Sequence, residues 1–209
     1  MGSLLLMGLG GAAGVPSGTV LLQDSFTDGD GTSLDAHTMD VGAGWTERVG
    51  VWEILTNKAV VTSNAGDYYH ATAGAGQADY EVECDFTLPL TGPIDCAVVV
   101  RWATTTSYLA AILTSVNLLA SSSLELYLRN PGFTLQGSAY AAGAQAGGNT
   151  INIRVKCVAD QISVYLDDVL RIGPVTQATN QTAQIVGIQN YRGATHLQIV
   201  LDNFLAVTP

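Results

Sequence analysis

Stretch after stretch of this chain alternates apolar and polar residues with period two, and no segment of helical length carries the 3.6-residue period of a helix. Residues 79–88 show it most clearly. Tyr80, Val82, Cys84, Phe86 and Leu88 point one way, and Glu81, Glu83, Asp85 and Thr87 point the other. That is the pattern of an antiparallel strand with one face on a core and one acidic face toward water. Residues 94–102 continue it, with Ile94, Cys96, Val98, Val100 and Trp102 inward. The intervening Thr91-Gly92-Pro93 is a turn signal, which predicts that the two strands form a hairpin-like pair.

Further strands are expected over 107–114, 123–129, 151–158, 161–166, 169–172, 183–188 and 196–207, and shorter ones over 19–26, 51–55 and 59–62. Tight turns at Ala159-Asp160 and Asp167-Asp168 join three of them. Residues 139–149, rich in Ala and Gly, read as a surface loop. Many short strands with Gly, Pro, Asn and Asp punctuation and no βαβ alternation predict an all-β fold: two antiparallel sheets packed face to face as a jelly-roll sandwich.

The 209 residues fit one such domain, expected over 19–209. Only 12% of residues are charged, against about 25% in ordinary soluble proteins. Eight Lys plus Arg face eighteen Asp plus Glu, a net charge of −10, which leaves no basic footprint for nucleic acid or for an anionic membrane. Cys84, Cys96 and Cys157 have neither disulfide-framework nor zinc spacing. Each falls on an apolar face and reads as a small buried hydrophobe, with a single disulfide between two of them left open.

Residues 1–18 form a separate arm, uncharged and rich in Gly, with Leu4, Leu5, Leu6, Met7, Leu9 and Val15 as its apolar side chains. No Lys or Arg precedes Arg48, so the arm lacks the basic start of a secretory signal, and it is too short to span a bilayer. A free arm of this composition cannot bury enough surface to offset its chain entropy. Docking against a neighbouring subunit in an assembly is expected; folding back on its own domain is the alternative.

Asp24-Ser25-Phe26 with Gly31, Leu34 and His37, then Trp45 and Trp52, resembles the opening of concanavalin A-like (laminin-G-like) jelly-roll domains. Asp202-Asn203-Phe204 with its apolar end resembles their last strand. The resemblance implies that first and last strands lie side by side, bringing the two Asp-x-Phe elements together. The arm is similar in composition to those on structural proteins of tailed bacteriophages. That likeness implies a non-enzymatic virion component, a capsid decoration or tail surface protein, that is anchored through its arm and homo-oligomeric. A carbohydrate-binding module or receptor-binding adhesin, with a host-surface glycan as partner, is the alternative on the same scaffold, and a glycoside hydrolase the third.

Three kinds of chemistry follow as candidates. Tyr68, Tyr69, Tyr140 and Tyr191 lie in or beside predicted loops, where aromatic rings can stack on sugar faces, whereas Trp45, Trp52 and Trp102 read as core. Asp24, Asp28, Asp30 and Asp202 are hard oxygen donors suited to a structural calcium, with a self-satisfied Asx-turn as the simpler reading; no other cofactor is expected. Glu81, Glu83 and Asp85 have the alternate spacing of a glycosidase acid strand, but not the order found in concanavalin A-like hydrolases, and read first as a solvated acidic face. His37, His70 and His196 have no metal-binding spacing.

Overall fold

A computed structural model of the chain describes residues 18–63, 67–117, 121–192 and 198–209. The arm residues Leu4, Leu5, Leu6, Met7, Leu9 and Val15, and His196, lie outside the described residues. In chain order the strands are β1 (Val20–Asp24), β2 (Thr46–Val49), β3 (Trp52–Ile54), β4 (Ala59–Val61), β5 (Asp67–Gly74) and β6 (Tyr80–Thr87). They continue with β7 (Ile94–Thr104), β8 (Ser107–Asn117), β9 (Ser121–Arg129), β10 (Phe133–Leu135) and β11 (Tyr140–Gly143). The last are β12 (Thr150–Val158), β13 (Gln161–Leu166), β14 (Val169–Thr176), β15 (Ile185–Arg192) and β16 (Val200–Val207).

Two eight-stranded antiparallel sheets form the expected sandwich. One runs β14-β13-β12-β6-β16-β4-β3 with β1 beside β16; the other runs β10-β9-β8-β7-β15-β5-β2 with β11 beside β9. The inward rows of both sheets meet in one core, including Tyr80, Val82, Cys84 and Phe86 from β6 and Ile94, Cys96, Val98 and Val100 from β7. All three cysteines are free and buried there. The Ala/Gly-rich segment expected as a loop contains the edge strand β11.

The predicted β6–β7 hairpin does not form, because the two strands lie in opposite sheets. Both apolar rows need the same core, and placing one strand in each sheet lets the rows meet face to face. The turn around Gly92, at φ 93°, carries the chain across the sandwich instead of reversing it within a sheet.

Trp102 also departs from the simple alternation. Arg101 takes φ 51°, and the β7–β8 register shifts between Val100 and Thr104. This bulge moves Trp102 off the core row and onto the outer face, with Ala97 and Val99. Arg101 itself is buried, its guanidinium donating to the carbonyls of Gln177 and Ala159.

The first and last strands pair, with Asp24 opposite Phe204. Asp24, 1% exposed, accepts hydrogen bonds from Trp45 Nε1 at 2.6 Å, His37 Nε2 at 2.8 Å and the Phe26 backbone N–H at 2.7 Å. Trp45 lies between Phe26 (centroids 5.9 Å) and Phe204 (4.8 Å). Asp24, Phe26, His37, Trp45 and Phe204, scattered in the sequence, thus form one knot, a buried carboxylate under an aromatic cluster. Asp24→Ala would strand three buried donors, and the expected loss is about 3–5 kcal/mol of stability. Urea unfolding measures it; a loss below about 1 kcal/mol would show that the knot is incidental.

Candidate functional site

The sandwich has two outer faces of different character. On the first sheet, register sets Glu81 opposite Lys156, Glu83 opposite Arg154 and Asp85 opposite Asn152. Glu81, 8% exposed, accepts from Lys156 Nζ at 2.6 Å and Arg154 Nη1 at 2.8 Å. Against the desolvation of burial, those two cations hold its carboxyl below the usual range. Asp85 accepts from Asn152 and Asn203 side-chain amides at 2.9 and 3.0 Å. Glu83 is pushed up to about 7 by burial, opposed by Arg154 and reinforced by its acidic neighbours. The acidic trio is therefore not the solvated face expected: β12 brings cations onto it.

The outer face of the second sheet carries a second apolar cluster of Ala97, Val99, Trp102, Tyr108, Ala110 and Ile112, with Tyr127 and Ile185 packed against it. Strands β7 and β8 are thus buried on both faces. What covers them is the sheet itself. Tyr68 of β5 contacts Phe133 of β10, ring centroids 5.4 Å apart, although the two strands are five places apart in the sheet. On a flat sheet five strand spacings separate backbones by roughly 24 Å, so this contact requires the face to curl into a trough.

Within the trough, His70, Trp102 and Tyr108 pack ring on ring with centroids 4.9–5.1 Å apart. His70 Nε2 meets Gln189 Oε1 at 2.9 Å and Tyr108 Oη at 3.0 Å. Burial pulls the imidazole down to about 4, so it is neutral at physiological pH.

The Tyr68–Phe133 contact divides two hollows. One, of about 140 Å³, is lined by Asp67, Tyr68, His70 and Arg129, with Thr105, Thr106 and Val49. The other, of about 340 Å³, has Tyr68, Tyr127 and Phe133 as aromatic walls, Ile112 and Thr114 from β8, and two carboxylates, Asp95 and Glu125. Asp95 is 9% exposed; Tyr68 Oη donates to its Oδ2 at 3.4 Å, and its Oδ1 has no partner. Burial, assisted by the Glu125 charge and opposed by Tyr68, pushes its carboxyl up to about 7. Glu125 accepts from Ser123 Oγ at 2.7 Å.

The structure sorts the four tyrosines expected at a glycan site. Tyr68 and Tyr191 stand side by side on the trough, centroids 5.1 Å apart. Tyr69 does not belong with them: the alternation of β5 turns it into the core, 3% exposed, where a Cβ on Gly50 would strike its ring. Tyr140 sits on β11, packed against the core edge under Arg171, whose guanidinium lies 4.6 Å from its ring. The four aspartates expected as calcium ligands are held by protein donors. Asp24 sits in the knot above; Asp28 accepts from Gly29 N–H, Asp30 from Thr56 N–H, and Asp202 from Lys58 Nζ and Asn203 N–H. Among the described residues, no group of three or more His, Cys, Asp or Glu is placed to hold a metal ion.

Sequence reading missed Asp95, Glu125, Tyr127 and Phe133. The signal was present: 94–100 and 108–113 are almost wholly apolar, which alternation with a wet face does not allow.

Neither the models of known protein families nor the sequences of curated proteins match the chain. Solved structures do. The carbohydrate-binding module CBM66 from Bacillus subtilis superposes with a TM-score of 0.60 at 15% identity, over 80% of this chain and 97% of that one. The GH43 protein BlXynB from Bacillus licheniformis gives 0.64 at 13% identity over 90% of this chain, which spans only 39% of that longer protein. The exoplasmic/lumenal domain of VIP36, in a Ca²⁺/Man-bound form, gives 0.57 at 11% identity, over 79% and 83% of the two chains. At such identities the likeness establishes the fold, a jelly-roll sandwich consistent with the expected concanavalin A-like class.

Asp95 titrates among Tyr68 of β5, Tyr108 of β8, and Glu125 and Tyr127 of β9. Its folded value of about 7 stands above the ordinary 3.8, so the unfolded chain loses this proton first as pH rises. Its contribution to stability is complete below about pH 4 and is lost as pH climbs through about 7. Asp95→Asn is expected to raise Tm relative to wild type near pH 8 and to leave it close to wild type near pH 4; the comparison cancels the opposite contribution of His70. A difference that does not vary with pH would contradict the assignment.

Proposed function

We propose that the chain binds carbohydrate in the trough of the second sheet, with the larger hollow as the primary site. One observation carries the reading: two carboxyl groups, Asp95 and Glu125, the first with an unpartnered oxygen, share a hollow of about 340 Å³ with three aromatic walls. Asp95 and Glu125 give the hollow carboxyl groups that exchange hydrogen bonds with ligand polar groups. Aromatic walls with a few placed polar groups suit a sugar ring, which offers an apolar face and hydroxyl edges. The volume lies within the roughly 300–1,000 Å³ of small-molecule sites. The shared sandwich with a carbohydrate-binding module adds support.

This favours the second of the sequence-based expectations over the first. The virion role, with its localisation and sister-subunit partners, drew on the arm, whose residues 1–17 lie outside the described residues. The third expectation, hydrolysis by Glu81, Glu83 and Asp85, concerns the opposite face, where Glu81 is already tied to Arg154 and Lys156.

A glycan array, followed by calorimetry on the strongest hit, tests the proposal. Tyr127→Ala and Tyr68→Ala are each expected to weaken binding about tenfold, the scale of a central aromatic contact, while Tyr140→Ala leaves it unchanged. Retention of full affinity in both trough variants would contradict it.

A further inference from the structure

The larger hollow holds two carboxyl groups, more acid than a neutral sugar needs. Asp95 on β7 and Glu125 on β9 flank β8, with Asp95 opposite Thr114 and Glu125 opposite Ile112. Their backbones stand two strand spacings apart, roughly 10 Å, and both side chains line the same hollow. Two carboxyl groups facing one apolar-walled space strengthen each other's hold on a proton, and a cation seated between them takes that proton's place. The walls are suited to the same guest, because the faces of Tyr68, Tyr127 and Phe133 attract positive charge through their ring quadrupoles. Arg129 lies 4.8 Å from the Phe133 ring centroid, and it lines the smaller hollow rather than this one.

Building on the carbohydrate reading above, we infer that the sugar unit held in the larger hollow bears a protonated primary amine, bound by Asp95 and Glu125. The choice of a primary ammonium follows from Asp95 Oδ1, which is buried without a partner and needs a donor. A quaternary ammonium would match the aromatic walls but has no N–H to give. A primary ammonium has three, enough for Asp95, Glu125 and a third acceptor on the wall, such as the Thr114 hydroxyl.

The test compares three short β-1,4-linked oligosaccharides against the full chain by calorimetry at one pH slightly below neutral: glucosamine oligomers, their N-acetylated counterparts, and glucose oligomers. The glucosamine series is expected to bind about tenfold tighter or more than the other two, the usual worth of a charge-assisted hydrogen bond. Asp95→Asn and Glu125→Gln are each expected to erase most of that preference, bringing the glucosamine series down to the level of the other two. Asp95→Asn replaces a largely protonated carboxyl by an amide of the same shape and so keeps the fold intact. Equal binding of all three series would overturn this inference and leave carbohydrate binding standing. An amine preference that survives both substitutions would place the amine elsewhere and likewise overturn it. If no oligosaccharide binds here and the glycan array is also blank, both readings fall together.

Discussion

A strand that is apolar on both faces must be covered on both, and a two-layer sandwich offers cover on only one. Strands β7 and β8 are such strands: Val98 and Leu109 face the core, while Val99, Ala110 and Ile112 face the other way. No third layer lies over them among the described residues. The second sheet meets the demand by curling until Tyr68 from one side reaches Phe133 from the other. Hydrophobic burial on the outer face and the existence of a cavity there are therefore one physical fact. The same curl that shelters Trp102 and Tyr108 leaves hollows on either side of the Tyr68–Phe133 contact.

The two faces illustrate how neighbours decide what an acidic residue does. Glu81 and Asp95 are about equally buried. Glu81 lies opposite a strand that supplies Lys156 and Arg154, which keep it charged and fully engaged. Asp95 lies opposite Thr114; burial, with the Glu125 charge and against one long hydrogen bond from Tyr68, keeps its proton on to about pH 7, and one oxygen is left over. The first arrangement fastens strands together. The second leaves chemical capacity for a guest.

Much of the scaffold was legible in the amino-acid sequence. Alternation located β6, β9, β12 and β13, and the Asp24 and Asp202 elements foretold that β1 pairs with β16. Strand partners across the sandwich were not legible, because Thr91-Gly92-Pro93 suits a crossing as well as a hairpin. Strands β2, β5, β10 and β11 escaped notice for a shared reason: Thr46–Val49 is mostly polar, Asp67–Gly74 is built of small and aromatic residues, and the other two are three- and four-residue edges. The site was half visible. Tyr68 and Tyr191 stand out by their chemistry, whereas Glu125 and Tyr127 fall inside the strand expected over 123–129 with nothing to mark them. Nothing in the order of residues says that a polar face will become the wall of a trough; that depends on curl, which joins strands far apart in sequence.

The central claim is that the curled outer face of the second sheet is where a saccharide sits. Backbone amide shift mapping during titration with the best-binding oligosaccharide tests it most directly. The account predicts that the largest shifts cluster at Tyr68, Asp95, Thr114, Tyr127 and Phe133, with Glu81, Glu83 and Lys156 unmoved. Shifts concentrated on β6 and β12 instead, or spread evenly over both faces, would contradict it.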